Sequence, residues 1–296
     1  MFEEAQLYAP VSEGPDGVRV HLADDHPGAG DPEYRRRRDA IAAAALAWRP
    51  GDPIPRVDYT DAEHGIWATV SRELSPKHDR LACRAFREAK ARLALPVEHV
   101  PQLDEVSSAL EPLTGFAFHP AAGLVPLDEF LGSLADRVFH STQYLRHPSA
   151  PLYTPEPDIV HEVIGHGNLL ADPDIAEVKR LAGVAARRCE TAEALQYLAD
   201  VFWFTIEFGV MREEGEVRAY GAGILSSYGE IEEFRGADLR PLDLLEMATL
   251  EYDITKYQPV LFAADSMDHL VDAVGDFFAA CDDDTLARME REHARV

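Results

Sequence analysis

The sequence predicts one mainly α-helical domain with a few short strands. Most segments of the 296-residue chain are rich in helix-forming residues or place apolar side chains at helical spacing. Only residues 116–118, 216–220 and 259–263 have the pattern of strands. The length suits one large domain or two small ones. Because no linker or internal repeat divides the chain, we expect a single domain.

The starts of the helices follow from caps and prolines. The first predicted helix begins at Pro32, after an irregular segment rich in Pro, Gly and Asp. The second begins after Thr60, an N-cap residue with Glu63 at capping-box spacing. Further helices are predicted over residues 76–93, 101–111, 126–138, 173–187, 191–212, 241–252 and 266–281.

The charge of the chain argues against some partners. It carries 28 Lys and Arg against 53 Asp and Glu, a net charge of −25, whereas nucleic-acid binding needs clustered basic residues. We interpret the basic run at residues 35–38 as a helix face paired with acids. No apolar run approaches the roughly 18 residues of a membrane span, and we find neither a signal peptide nor a disulfide framework. We therefore expect a cytoplasmic protein without nucleic-acid or membrane partners.

The stretch TPEPDIVHEVIGH, at residues 154–166, suggests a metal site. Asp158 can cap a helix that begins after the two prolines, and this helix carries His161 and His166. The two histidines are five residues apart, not four as in the zinc-peptidase motif HExxH. On a regular α-helix they would point about 140° apart. They converge only if the helix widens or ends near Gly165, since glycine tolerates such a departure.

The almost wholly apolar segment LADVFWFTIEFGV suggests a third ligand, because it carries Glu207. A carboxylate is costly to bury alone, so Glu207 faces either a metal cation or an arginine, with Arg146 and Arg218 as the alternatives. Two imidazoles and one carboxylate form the facial triad of non-haem iron(II) oxygenases, which leaves positions open for O₂ or a co-substrate. Such an oxygenase also needs an organic reductant. A zinc metallohydrolase and a non-catalytic binding protein are the alternatives from other classes.

Beyond this triad, the sequence resembles the pterin-dependent aromatic amino acid hydroxylases over most of its length. The stretches that carry the resemblance follow the order of the family from about residue 22 to 235, with a weaker match to 266. They are LADDHPGAGDPEYRRRRDAIA, PIPRVDYTDAEHGIW, PQLDEVSSAL, TGFAFHPAAGLVPLDEFLGSLADRVFHSTQYLRHPSAPLYTPEPDIVHEVIGH, WFTIEFG, AYGAGILSSYGE and YDITKYQPVLFAADS.

The resemblance implies a ferrous ion held by His161, His166 and Glu207, and tetrahydrobiopterin as the two-electron donor. It implies a single catalytic domain over residues 21–281, between an irregular segment (1–20) and a charged tail (282–296). Because the tail has no long heptad pattern, we expect a monomer or a small homo-oligomer rather than a coiled-coil tetramer.

The resemblance also implies a pterin pocket and a substrate pocket. In the family the pterin stacks on an aromatic ring, here that of Phe130, and an arginine, here Arg146, holds the substrate carboxylate. The implied pterin-binding residues are Gly123, Leu124, Val125, Phe130, His140 and Glu162. The implied substrate-binding residues are Arg146, Thr154, Asp158, Trp203 and Ser226, and the resemblance gives Glu162 and Trp203 catalytic roles.

The implied reaction is hydroxylation of the ring of L-phenylalanine to a tyrosine, para or meta, with O₂. L-Tryptophan is the alternative substrate, but Trp203 favours the smaller ring. The resemblance also predicts an ion pair between Arg38 and Glu156. The sequence departs from the family pattern after the second histidine, where Asn168 replaces the usual proline. We expect this side chain to place a polar group near the substrate ring.

Overall fold

The structure, a computed structural model, describes residues 9–15, 17–254 and 256–294 and is mainly α-helical. Three π-helical segments within these residues, Val160–Gly167, Trp203–Glu207 and Val271–Gly275, continue or adjoin α-helices. The α-helices are α1 (Pro32–Ala47), α2 (Asp61–Leu81), α3 (Arg84–Leu93), α4 (Leu103–Thr114), α5 (Leu127–Leu134), α6 (Asn168–Leu170), α7 (Pro173–Ala186), α8 (Ala192–Phe202), α9 (Ala222–Ser226), α10 (Glu230–Glu233), α11 (Leu244–Met247), α12 (Met267–Leu270), α13 (Asp276–Ala280) and α14 (Thr285–His293).

The strands form two small pairs and one mixed sheet. Strands β1 (Val11–Gly14) and β2 (Gly17–Val20) pair antiparallel. Strands β3 (Ala117–Pro120) and β4 (Val138–Ser141) pair parallel, with α5 in the connection between them. The four-stranded sheet has the order β6-β5-β8-β7. Its strands are β5 (Val210–Glu213), β6 (Glu216–Ala219), β7 (Asp238–Pro241) and β8 (Val260–Ala264).

One apolar core joins these elements and confirms the single domain. It contains side chains from α2 to α4, from α7 and α8, from the β3–β4 pair and from the four-stranded sheet, including the fully buried Trp67, Phe86, Phe118 and Phe204. The tail helix α14 also contacts this core through Leu286. None of the helices in the described residues is both long and apolar enough to cross a membrane.

Most predicted elements are present, but several boundaries were wrong. A new helix was expected at residue 76, yet α2 continues through Pro76 to Leu81. Proline removes one helical hydrogen bond, but the residues after it are held by tertiary contacts. Lys77 Nζ donates to the Tyr228 carbonyl at 2.8 Å, and His78 Nε2 lies 2.7 Å from the Leu225 carbonyl oxygen.

Strands replace parts of several segments that were predicted to be helical or irregular. The helix predicted to reach residue 138 ends at Leu134, and Val138, whose spacing looked helical, instead begins β4. The helix predicted over 191–212 gives way to β5 at Val210. Of the helix predicted over 241–252, only Leu244–Met247 forms, and residue 241 ends β7. The segment 1–20 was expected to be irregular. Its residues 1–8 lie outside the described residues, but β1 and β2 form a hairpin fixed to α1, where Asp39 accepts from the Val20 N–H at 2.7 Å. The three-part division of the chain stays a prediction.

The predicted ion pair between Arg38 and Glu156 is confirmed. Both side chains are buried, and Arg38 Nη1 lies 2.6 Å from Glu156 Oε1. The guanidinium also lies over the ring of Tyr144, 3.3 Å from its centroid, and His26 Nε2 lies 3.5 Å from the same carboxylate oxygen. Burial alone would raise the pKa of Glu156, but the hydrogen bond from His26 and the charge of Arg38 outweigh it and lower that pKa. The pair therefore connects α1 to the loop that precedes the π-helical segment Val160–Gly167, called the histidine helix below.

We expect Gly183→Ala to destabilise the fold. Helices α5 and α7 approach so closely that a Cβ on Gly183 would lie 2.2 Å from the backbone nitrogen of Ala135. Because backbone must move, the free energy of unfolding should fall by about 1–3 kcal/mol in denaturant titrations. The control is Gly132→Ala in α5, where the nearest atom would be 3.8 Å away. An equal loss in both variants would contradict this account.

We expect Arg38→Met to lower stability by about 3–5 kcal/mol at neutral pH, since it leaves a buried carboxylate without its arginine. The pKa of Glu156 is lowered by folding, so the pair stabilises the fold above the unfolded-state pKa and loses this effect as pH falls through the folded-state pKa. Thermal melts of wild type and variant should therefore converge in acid. Arg36→Met, on the exposed side of α1, is the control. A variant as stable as the wild type at neutral pH would contradict the prediction.

Candidate active site

The two predicted metal-binding histidines lie on the π-helix Val160–Gly167. A π-helix has hydrogen bonds from residue i to i+5 and about 4.4 residues per turn, so residues five apart point only about 50° apart. Here the Asn168 N–H reaches back to the Val163 carbonyl. The Nε2 atoms of His161 and His166 consequently lie 3.1 Å apart. The expected widening of the helix is confirmed, and it explains the unusual spacing.

Gly165 allows this π-helix to pack against α9. A Cβ at Gly165 would lie 2.8 Å from the backbone carbonyl oxygen of Ala222, closer than packed atoms tolerate. The close approach places Ser226, at the end of α9, beside the first histidine. Its Oγ lies 2.9 Å from His161 Nδ1, so the Nε2 of that ring is left facing the other ligands.

Glu207 joins the two histidines from the second π-helical segment, where the Phe208 N–H bonds to the Trp203 carbonyl five residues earlier. Its carboxylate oxygens lie 3.0 Å from His166 Nε2 and 3.6 Å from His161 Nε2. The alternative arginine partners are engaged elsewhere: Arg146 binds Asp158, and Arg218 Nη2 lies 3.2 Å from Glu216. The three predicted side chains therefore meet.

The donor set fits a six-coordinate divalent metal ion bound through one face. Two donors at about 2.1 Å from a metal and at right angles to each other are about 3.0 Å apart. Two of the three separations are 3.0 and 3.1 Å. Glu162 also offers an oxygen within 4.8 Å of both imidazole donors, but Glu207 comes nearer. Burial, followed by the neighbouring His166, lowers the pKa of His161 to about 4, which favours the neutral, metal-binding form of that ring.

Lys179 is a site residue that sequence reasoning missed. It is fully buried on α7, and its Nζ lies 2.9 Å from Nδ1 of His166. Burial lowers the pKa of Lys179 to about 7, so its neutral amine can accept the Nδ1–H of His166. Such an acceptor fixes the orientation of an imidazole that binds a metal through Nε2. The signal in the sequence is a lysine on the apolar face of α7, between Ile175 and Ala182, because lysine is rarely buried without a partner.

A cavity of about 590 Å³ opens above the three ligands, within the range of small-molecule sites. Most predicted site residues line it: Leu124, Val125, Phe130, Arg146, Thr154, His161, Glu162, His166, Trp203, Glu207 and Ser226. Gly123, His140 and Asp158 are not among the lining residues. Neither is Asn168, so the expected polar group near the substrate ring is not found there. Its side chain is buried and donates to the Ile164 carbonyl at 2.8 Å.

Asp158 lies behind the cavity wall and holds Arg146 in place. Its two oxygens accept from Nε and Nη2 of Arg146 at 2.8 and 2.9 Å, and one of them also accepts from the Arg146 backbone N–H. The same carboxylate accepts from the His161 backbone N–H at 3.3 Å, not from its ring. Asp158 therefore orients the arginine and begins the histidine helix.

Two aromatic residues flank the metal ligands within the cavity. Trp203 stacks on Tyr252, with ring centroids 4.8 Å apart and 16° between the planes. Phe130 meets Phe139 edge-on at 5.6 Å. The predicted pterin residue His140 does not line the cavity, and its buried Nδ1 atom has no hydrogen-bond partner among the described residues. The Phe130 ring in the cavity wall fits a flat heterocyclic ligand that stacks on it.

Comparison with known proteins agrees with this geometry. The family model for biopterin-dependent aromatic amino acid hydroxylases matches residues 17–290. A phenylalanine 3-hydroxylase of Streptomyces coeruleorubidus is 52% identical over 264 residues, which cover 89% of this chain and 95% of that protein. The phenylalanine-4-hydroxylase of Homo sapiens is 41% identical over 266 residues, which cover 88% of this chain. The match spans only 59% of the human protein, and 58% to 59% of its bovine, mouse and rat counterparts.

A solved structure shares the fold. Phenylalanine hydroxylase from Chromobacterium violaceum, with bound iron(III) and 7,8-dihydrobiopterin, superposes with a TM-score of 0.70 at 31% identity. The match covers 75% of this chain and 82% of that chain. The chain described here therefore belongs to the biopterin-dependent aromatic amino acid hydroxylase family.

Proposed function

We propose that the protein is a non-haem iron(II), tetrahydrobiopterin-dependent monooxygenase that hydroxylates the aromatic ring of L-phenylalanine with O₂. The observation that carries this proposal is the meeting of His161, His166 and Glu207 below a cavity that has Arg146 in its wall. The family membership supports the pterin and the aromatic substrate. The product is para- or meta-tyrosine, that is, phenylalanine with one hydroxyl group at ring position 4 or 3.

These three ligands would hold the iron on one face and leave the cavity side of the ion open. When bound, ferrous iron and the reduced pterin supply the activation of O₂ and its two electrons. The protein's own contribution is to fix its donors and exclude water. Ser226 and Lys179 hold the outer nitrogens of the two imidazoles, and the walls bring the reactants together.

The pterin pocket that we propose lies beside Phe130. The ring of Phe130 offers a flat surface for stacking. We keep His140 as a proposed pterin-binding residue on the resemblance to the family, although it does not itself line the cavity. Glu162 lies at the cavity, where its Oε1 accepts a long hydrogen bond, 3.4 Å, from Thr142 Oγ1. Burial, followed by the charge of Glu207, raises the pKa of Glu162 well above its usual value. The backbone at Gly123, Leu124 and Val125 would complete the pocket.

The substrate pocket that we propose lies between Arg146 and Trp203. Asp158 engages two nitrogens of Arg146, which leaves the third for a carboxylate. Thr154 and Ser226 line the same cavity and would assist. Because Trp203 is stacked on Tyr252, it is held in place as one wall of a pocket for a single aromatic ring. This arrangement supports phenylalanine over tryptophan.

The position of ring hydroxylation is left open in this proposal. The Streptomyces relative is named for hydroxylation at position 3 and the human relative at position 4, so an assay must resolve both products. We further propose that the enzyme works in the cytoplasm as a monomer or small homo-oligomer, without nucleic-acid or membrane partners. The net charge of −25 supports the absence of a nucleic-acid partner.

The direct test of this function is reconstitution with iron(II) and a tetrahydropterin under air. L-Phenylalanine, L-tyrosine and L-tryptophan are offered separately, and products are resolved by mass and retention time. We expect a tyrosine isomer from phenylalanine, loss of activity after chelation and its return with ferrous ion but not with zinc. No oxidised product from any amino acid, with hydrolase activity under zinc, would overturn the proposal.

We expect Lys179→Met to weaken binding of ferrous ion by about 10- to 100-fold, because the His166 ring loses its outer partner. Titration of the metal-free protein under anaerobic conditions measures this affinity, and a melting curve confirms that the variant is folded. Lys90→Met is the control, since Lys90 contacts Ser75 and His78, outside the cavity. Unchanged affinity in Lys179→Met would show that Lys179 does not position the ligand.

A further inference from the structure

Glu230 is a buried carboxylate in the wall of the active-site cavity. It begins α10, and only 6% of its surface is exposed. One oxygen accepts a hydrogen bond from the Gln258 backbone N–H at 2.9 Å. Among the described residues, no lysine, arginine or histidine side chain lies within 4.0 Å of the carboxylate. The cavity thus contains a carboxyl group without a protein cation.

The other acidic side chains of the cavity have partners or are exposed. Glu156 binds Arg38. Glu162 and Glu207 lie beside the two metal-binding imidazoles. Asp25 is exposed to solvent. Among the described residues that line this cavity, Glu230 is therefore the one buried carboxylate that lies neither beside a cationic side chain nor at the metal centre.

Burying an unpaired carboxylate is unfavourable unless something charged or hydrogen-bonding compensates for it. Burial raises the pKa of Glu230 to about 7, and the Gln258 N–H only partly opposes this. A ligand with a positive charge would remove the penalty when it binds. The substrate proposed for this cavity carries such a charge, because a free amino acid has an α-ammonium group as well as a carboxylate.

We propose that Glu230 is the counter-ion for the α-ammonium group of the amino-acid substrate. This inference rests on the function proposed above and adds a third anchoring point. Gln258 links Glu230 to the proposed ring site. Its backbone N–H donates to the Glu230 carboxylate, and its side-chain oxygen lies 3.4 Å from Nε1 of Trp203. It also closes the wall Ser226–Glu230, whose five residues all line the cavity.

Three anchors explain how the pocket selects an amino acid. Arg146 provides a cation for the carboxylate, Trp203 a surface for the ring and Glu230 an anion for the ammonium group. Charged hydrogen bonds inside a cavity discriminate strongly against ligands that lack the matching group, because a buried charge is then left unpaired. A phenyl compound without the amino group should therefore bind worse, although it fills the same space.

The test compares two ligands in two proteins. Binding of L-phenylalanine and of 3-phenylpropanoate, which lacks the amino group, is measured by calorimetry on iron(II)-loaded protein without O₂. Glu230→Gln keeps an oxygen acceptor for the Gln258 N–H and removes only the charge. The wild type should bind phenylalanine at least about tenfold more tightly than 3-phenylpropanoate. Glu230→Gln should lose this preference because its affinity for phenylalanine falls while its affinity for 3-phenylpropanoate does not.

Two further variants separate charge recognition from a structural effect. Glu233→Gln, an exposed change on the same helix, should keep the wild-type preference. Glu230→Asp keeps the charge on a shorter side chain and should restore part of it. Equal weakening of both ligands, an unchanged preference in Glu230→Gln, or weakened binding of the tetrahydropterin instead would overturn the assignment. Failure of the wild type to hydroxylate any aromatic amino acid would instead refute the function on which it rests.

Discussion

The active site depends on one change in helix geometry, from α to π, at Val160–Gly167. In an α-helix, side chains five residues apart diverge, and His161 and His166 could not bind the same metal ion. The wider π-helix brings their Nε2 atoms to 3.1 Å. A second π-helical segment ends at Glu207 and supplies the carboxylate. Both segments lack regular α-helical hydrogen bonding, and we propose that each places a metal ligand.

The surrounding fold holds these irregular segments through pairs of buried charges. Asp158 caps the histidine helix and fixes Arg146, so one carboxylate aligns the metal site with the carboxylate site of the cavity. Arg38 and Glu156 anchor the loop that precedes that helix. Buried ion pairs contribute little net stability, but they allow few alternative arrangements. We infer that these pairs serve to position the cavity wall.

The sequence predicted the mainly helical single domain and the meeting of His161, His166 and Glu207, but not several helix boundaries. The capping box of Thr60, this meeting of three side chains and the Arg38 pair follow from local chemistry or from the resemblance. The continuation of α2 through Pro76 could not be foreseen, because contacts far away in sequence decide it. The same holds for Lys179 and Glu230. Each is an ordinary charged residue in the sequence, and only burial beside a ligand or cavity makes it significant.

The central claim is that one ferrous ion is bound by two imidazoles from a π-helix and one carboxylate from a distant segment. A crystal structure of the protein loaded anaerobically with iron(II) tests this most directly. The account predicts a metal ion bonded to Nε2 of His161, Nε2 of His166 and the Glu207 carboxylate, with hydrogen bonds from residue i to i+5 preserved over Val160–Gly167. A regular α-helix there, or a Glu207 side chain turned away from the ion, would contradict it.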